Sequence, residues 1–180
     1  MNRDNFFRTV FLFSPLFMIS LVILVGCSYS FTGSSVPAHL KSINIPVFTD
    51  KSGSGEFDLN RRITDKLIQK FRDDNSLAIG ERANADSYLE GTITGLSDTP
   101  SIVSGGEKVS TRRITVTVRA VYKDRVKKIT VFEKNFSNYS DYPTVNFQAG
   151  DDVVSARKRA IDSSINLITE DILLAVVSNW

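Results

Sequence analysis

Residues 112–123, "RRITVTVRAVYK", constrain the fold more than any other stretch. Ile114, Val116, Val118, Ala120 and Tyr122 alternate with Arg113, Thr115, Thr117 and Arg119, and only Val121 breaks the polar set. Successive side chains of a strand point to opposite faces, so this period of two predicts one strand with an apolar face and a polar face. Such a strand needs neighbours at its sides and an apolar layer over one face, while the other face stays wet.

The neighbours can be read on both sides. After "KDR", residues 126–140, "VKKITVFEKNFSNYS", read as the second arm of a hairpin with a non-glycine turn. Apolar groups occur on both parities of that arm, Ile129 and Val131 on one, Phe132 and Phe136 on the other. A bulge or cover on both sides would explain that. Residues 85–100 predict a further strand with Leu89, Gly91, Ile93 and Gly95 on one face, the glycines leaving room for close packing. Residues 40–48, "LKSINIPVF", alternate Ile43, Ile45 and Val47 with polar residues, and Pro46 restricts the strand to an edge or a bulge. Residues 76–82 hold a short strand, and "SIVSGGEK" reads as a flexible loop around Gly105 and Gly106.

Two stretches carry helical periodicity. Leu59, Ile63, Leu67 and Phe71, widened by Ile68, predict an amphipathic helix capped by Asp58 and ending near Asn75. Asp151 or Asp152 caps a longer one reaching about Asn179, with Val154, Ile161, Ile165, Ile168, Ile172, Ala175 and Val176 as its apolar stripe. Arg157, Lys158 and Arg159 in its early turns oppose the helix dipole weakly. The order is β-α-β-β-β-β-α. It implies an α+β two-layer sandwich, with two helices packed on one face of a mostly antiparallel four- to five-stranded sheet.

Composition and motifs exclude several functions. A formal net charge of +2 gives no global field of the kind nucleic-acid binding uses. One cysteine forbids an internal disulfide, and one cysteine with one histidine, His39, excludes the usual zinc sets, so neither metal nor cofactor is expected. No Ser/His/Asp spacing and no phosphate loop stands out, and no catalytic residue is assigned. One charged cluster remains: Arg112, Arg113, Arg119, Lys123, Arg125, Lys127 and Lys128. It reads either as a solvated sheet face protected from aggregation or as an anion site suited to an amphiphile.

The amino-terminal stretch is of a different kind. Arg3 and Arg8 precede an uncharged run over residues 9–26, which ends at Cys27. A basic start, an apolar run and small residues are the order of a secretory signal, although the run approaches the length of a membrane anchor. "LVGC", Leu24 to Cys27, resembles the lipobox of bacterial lipoproteins. That resemblance implies cleavage before Cys27 and a diacylglycerol thioether on its sulfur. Residues 1–26 are then signal peptide, residues 27–39 a lipidated cysteine and flexible tether, and residues 40–180 a single domain.

Three stretches carry a more specific resemblance. Tyr29 and Phe31 lie just past the cysteine, followed by "K-x-I-x-I-P-x-F" at Lys41 to Phe48. "L-x-x-x-I-T-x-x-L" runs from Leu59 to Leu67, and "A-D-S-Y-L-E-G-T-I" from Ala85 to Ile93. Together they resemble the lipopolysaccharide-assembly lipoproteins of the LptE family; Ser28 stands where many members have Gly. The resemblance implies a lipoprotein at the periplasmic face of the outer membrane that plugs the LptD β-barrel and helps insert lipopolysaccharide into the outer leaflet. It implies no enzyme activity. The partners expected are LptD, lipopolysaccharide and the membrane, with the basic cluster as a candidate lipopolysaccharide contact. A pilot or scaffold lipoprotein for another envelope complex, such as a secretion pore, is the alternative.

Overall fold

In a computed structural model, the structure describes residues 36–104, 108–145, 147 and 150–178. Residues 1–35, with the expected signal peptide, Cys27 and most of the expected tether, and the loop expected around Gly105 and Gly106, lie outside the described residues. The elements are β1 (Ser42–Asn44), β2 (Thr49–Asp50), α1 (Leu59–Asp74), β3 (Ala78–Ile79), β4 (Ser87–Ser104), β5 (Lys108–Asp124), β6 (Ile129–Pro143) and α2 (Val153–Ser178). The sheet runs β3-β1-β4-β5-β6, with β2 also paired to β4. The long β4, β5 and β6 are antiparallel, whereas β1, β2 and β3 join in parallel. The expected element order holds, and the two helices pack on one face of the sheet, so the fold is the expected α+β sandwich.

The first strand is split in two, and Pro46 is the reason. Proline has no N–H to give to a ladder. Asn44 pairs with Tyr88 and Thr49 with Thr92, so the segment around Pro46 carries one residue more than the β4 segment opposite. The surplus displaces Phe48 inward over Gly91, where a β-carbon would overlap three atoms of the Phe48 ring. Gly91 is therefore the close-approach glycine its position predicts. Gly95 is not. A register shift between Ile93 and Gly95 inserts Thr94 as an extra residue, so Gly95 pairs with Thr117 on the polar face and Leu96 packs on the core instead. A similar shift between Tyr122 and Lys123 leaves Val131 without a partner across the ladder, which accounts for the mixed parity of β6. The loop expected at 101–108 is narrower than anticipated, because β4 runs to Ser104 and β5 starts at Lys108.

In β5 and the helices the core is where the periods predicted it, whereas past Pro46 the first strand loses phase, leaving Val47 exposed and Phe48 buried. Ile114, Val116, Val118, Ala120 and Tyr122 of β5 are wholly buried, and α1 buries Leu59, Ile63, Thr64, Leu67 and Phe71. α2 contributes Ile161, Ile165, Ile168, Ile172 and Val176, joined by Ala156, Ala160 and Leu173. Val154 is not in the stripe. It is 71% exposed, since the buried face starts at Ala156. Ser164 and Thr169, buried in α2, return their hydroxyls to the carbonyls of Ala160 and Ile165 at 2.9 and 2.7 Å, so neither is left without a bond. The cap at α2 is Asp152, whose carboxylate accepts from Ser155 N–H at 2.7 Å. Asp58 occupies the cap position of α1 but makes no side-chain cap bond, its backbone sitting in the left-handed region at φ 56°. The expected tether also ends earlier than residue 39. Val36 packs against the core, Leu40 is buried, and Leu40 N–H closes a turn on the Pro37 carbonyl at 2.9 Å.

Candidate functional site

The seven cations singled out in the sequence do not form one patch. Strand parity and the β5–β6 turn divide them into three groups with different surroundings.

Arg113, Arg119 and Lys123 share the outer face of β5, away from the helices. Each meets a carboxylate on a neighbouring strand. Arg113 makes a two-pronged contact with Asp141, at 2.7 and 2.9 Å, and its guanidinium lies 3.8 Å from the centre of the Tyr139 ring. Arg119 bonds Glu133, and Lys123 reaches Glu90 at 3.0 Å. The hydroxyls of Thr117 and Ser137 meet between them at 3.3 Å. The Asp141 hydrogen bonds hold Arg113 above the usual guanidinium range, and Arg113 in turn holds the Asp141 carboxyl below its own. The outer face is thus polar, charged and internally neutralised. Beside it, where Pro46 breaks the edge, a cleft of about 450 Å³ opens, lined by Val47, Tyr88, Glu90, Arg119 and Val121 among others.

Arg112 has the parity of Ile114 and so faces the helix layer. There it donates to Asp98 at 2.8 Å through Nε and to the Asp98 carbonyl at 2.7 Å. Tyr142 Oη and Arg157 Nε donate to the same carboxylate at 2.8 and 3.0 Å. Arg157 continues to Glu56 at 3.1 Å, Glu56 to Arg62 at 3.1 Å, and Arg62 to Asp162 at 2.6 Å. One chain of charge-assisted bonds therefore ties β4, β5, β6, α2, the loop before α1 and α1 itself. Burial pushes Asp98 up, but the bonds from Arg112, Tyr142 and Arg157 outweigh it and hold the carboxyl below its ordinary value. Sequence reading missed this network. The signal for it was Arg112 itself: a cation on the apolar parity of a core strand requires a carboxylate inside.

Arg125, Lys127 and Lys128 sit in the exposed β5–β6 turn, which Lys128 enters with φ 57°. Arg125 spans back to the carbonyls of Arg82 and, at 3.1 Å, Ala85. Neither lysine ammonium meets a carboxylate among the described residues. Directly beneath the turn, buried Asp124 accepts from Lys127 N–H at 2.8 Å and bonds His39 Nε2 at 2.7 Å. Burial raises the Asp124 carboxyl, and the His39 and backbone bonds overcome that and hold it low. Asp86 acts alongside. Its Oδ2 accepts Lys41 N–H at 3.0 Å, Ser42 N–H at 3.1 Å and Ser42 Oγ–H at 2.9 Å, clamping the start of β1. His39, set aside in the sequence as a tether residue, thus pins the chain where it enters the domain. Among the described residues no cluster of His, Cys, Asp and Glu is arranged to hold a metal.

The fold and these surfaces define a class. It is a small α+β sandwich whose sheet presents a wet, self-neutralised face, with two lysines of the β5–β6 turn left without a carboxylate partner among the described residues. The family is specific: residues 40–176 match the model described as "LptE: Lipopolysaccharide-assembly", and the chain belongs to that family. It is therefore placed among proteins of lipopolysaccharide assembly and envelope biogenesis. No curated protein matches the sequence. Solved structures share the fold at low identity. Protein XCC0632 from Xanthomonas campestris is 10% identical, with 81% of this chain and 90% of that chain covered at a TM-score of 0.54. PelC from Paraburkholderia phytofirmans, a dodecamer, is 10% identical over 81% and 96% at 0.51. A minor lipoprotein from Acinetobacter baumannii is 10% identical over 79% and 95% at 0.51.

Proposed function

We propose that this chain is a lipid-anchored protein at the periplasmic face of the outer membrane. There it plugs the LptD β-barrel, assists assembly of that barrel, and takes part in inserting lipopolysaccharide into the outer leaflet. Cys27 is the lipidated residue. The role needs no bond-making step, and we assign the chain no reaction of its own.

The observation that carries this reading, beyond family membership, is the charge-paired outer face. A wide membrane barrel has a polar lumen. A plug entering it loses solvent from its surface, and removing water from lone charges is costly. Arg113, Arg119 and Lys123 bring their counter-ions with them, on Asp141, Glu133 and Glu90, so the face can meet a polar wall without stranding a charge. The same pairing makes them exchangeable partners for phosphate groups, which bind guanidinium in the same two-pronged manner as a carboxylate.

A tagged mature chain, purified from detergent-solubilised outer membranes, should bring down a large β-barrel. Recovery of no barrel, or of a secretion pore in its place, refutes the plug reading. For lipopolysaccharide, charge reversal at Arg119 and Lys127 should weaken binding by the chain, and unchanged binding refutes that contact. Arg112 belongs to the Asp98 network, so its reversal reports folding rather than ligand contact.

A further inference from the structure

We infer that the β5–β6 turn is a second membrane contact, made with anionic phospholipid headgroups by Arg125, Lys127 and Lys128 and flanked by Val126 and Ile129. This rests on the reading that Cys27 carries the lipid.

Three observations converge on that turn. The first is where the chain enters. Val36 packs on the core, and His39 is bonded to Asp124, the residue immediately before Arg125. The stretch from Cys27 to Val36 reaches at most about 30 Å when fully extended. α2 alone is about 40 Å long at 1.5 Å per residue. The end of the domain carrying the turn is therefore the end held towards the bilayer.

The second is the chemistry of the turn. Every residue from Arg125 to Thr130 is exposed. Val126 and Ile129 are 54% and 51% exposed, although both are branched apolar residues. Cations beside apolar side chains are the composition of an interfacial contact, where headgroup phosphates take the charge and the acyl boundary takes the carbon.

The third is the contrast with the other cations of the outer face and of the Asp98 network. On the outer face and in the Asp98 network the arginines and Lys123 have carboxylate partners. At the turn the nearby carboxylates are used inwardly, Asp124 by His39 and the Lys127 N–H, and Asp86 by Lys41 and Ser42. Glu81 is an exposed acidic residue of the adjoining segment. The lysines are left to a partner outside the chain. A leaflet within reach of the anchor has the matching charge, and the His39–Asp124 bond holds the turn against the point of entry.

The test uses the mature, membrane-extracted chain. Lipid on Cys27 blocks its sulfur, so Ile129→Cys gives a single reactive thiol for an environment-sensitive fluorophore, with Val126→Cys as the second position. Val154→Cys, on the first turn of α2 and 71% exposed, is the reference. Each labelled chain is reconstituted into phosphatidylcholine vesicles, with or without phosphatidylglycerol, doped with a headgroup-borne quencher. The labels at 129 and 126 should be quenched more than that at 154, and only strongly when phosphatidylglycerol is present. Raising salt from about 0.1 to 1 M shortens the screening length from about 10 to 3 Å and should release the turn while the anchor stays bound. Lys127→Gln with Lys128→Gln should reduce the contact population by roughly fivefold for each lysine. Equal quenching at 129, 126 and 154, or quenching indifferent to anionic lipid, overturns the proposal alone. An intact mass showing no acyl group on Cys27 overturns the anchor reading and this inference with it.

Discussion

Gly91→Ala tests the packing that joins the first strand to the sheet. A β-carbon at residue 91 would overlap Cδ2, Cε2 and Cζ of Phe48, far inside the carbon–carbon optimum of about 3.5–4.0 Å. The ring has little room to retreat. Phe48 is 2% exposed, and its N–H is fixed to Thr64 Oγ1 at 3.0 Å. Overpacking of this kind costs about 1–3 kcal/mol, and the fixed backbone favours the upper part of that range. Against it, replacing a strand glycine by alanine recovers about 0.5–1 kcal/mol of backbone entropy. The net expectation is a loss of about 2 kcal/mol, or roughly 4–8 °C in Tm for a domain of this size.

The diagnostic is the second background. In Phe48→Leu the ring is gone, so Gly91→Ala should become neutral or slightly stabilising there. Phe48→Leu itself destabilises through the volume it leaves empty. Urea unfolding of the four chains closes a double-mutant cycle, with an expected coupling of about 2 kcal/mol. If Gly91→Ala costs the same in both backgrounds, or lies within about 0.5 kcal/mol of the parent in each, the ring is not what glycine 91 is there to admit, and the account of the split first strand fails.

Thr64→Val keeps the shape of the side chain but removes the acceptor for the buried Phe48 N–H, and urea unfolding should show a loss of about 1–3 kcal/mol; no loss would mean that N–H finds another partner. Asp98→Asn withdraws the charge that Arg112, Tyr142 and Arg157 share and should cost about 2–3 kcal/mol near neutral pH. The folded Asp98 is held below its ordinary 3.8, so the unfolded chain takes up the proton first. The difference between Asp98→Asn and the parent should be full above about pH 4 and shrink as pH falls through the folded value, read by denaturation at a series of pH values; a difference that grows on acidification contradicts the sign. Cys27→Ser should leave an unprocessed precursor without acyl label, and a mature, lipidated product from that variant would refute the lipid assignment.

The apolar face of β5 and the faces of both helices were legible because burial imposes period on sequence, and Ile114 to Tyr122 or Leu59 to Phe71 keep that period without interruption. The misreadings fall where one residue shifts the phase. Thr94 is such a residue, and it moved Gly95 to the other face. Pro46 is another, and it cut one strand into β1 and β2. Val154 was assigned by helical spacing from residues further along, but Val153 and Val154 in the first turn of α2 are exposed and burial begins only at Ala156. The candidate site was less legible for a different reason. A list of cations carries no parity for its counter-ions. Arg113 and Arg119 look free in sequence, because Asp141 and Glu133 lie on another strand, and only the ladder register brings them together.

The stretches that carry the family resemblance turn out to meet in space. Ile43, Ile45 and Phe48 come from the first, Thr64 from the second, Asp86 and Gly91 from the third. Thr64 holds the Phe48 N–H, Gly91 receives its ring, and Asp86 clamps the backbone of Lys41 and Ser42. These residues fix how β1 enters the sheet. The recognisable signature is therefore one of architecture: among the described residues it seats the first strand in the sheet. The surfaces proposed to meet a barrel, a lipopolysaccharide or a leaflet are built from common charged residues whose meaning comes from the neighbours that this architecture supplies. Changes in the signature should act through stability. Changes on the outer face or the β5–β6 turn should leave stability nearly intact and alter association, because exposed ion pairs there contribute little to folding.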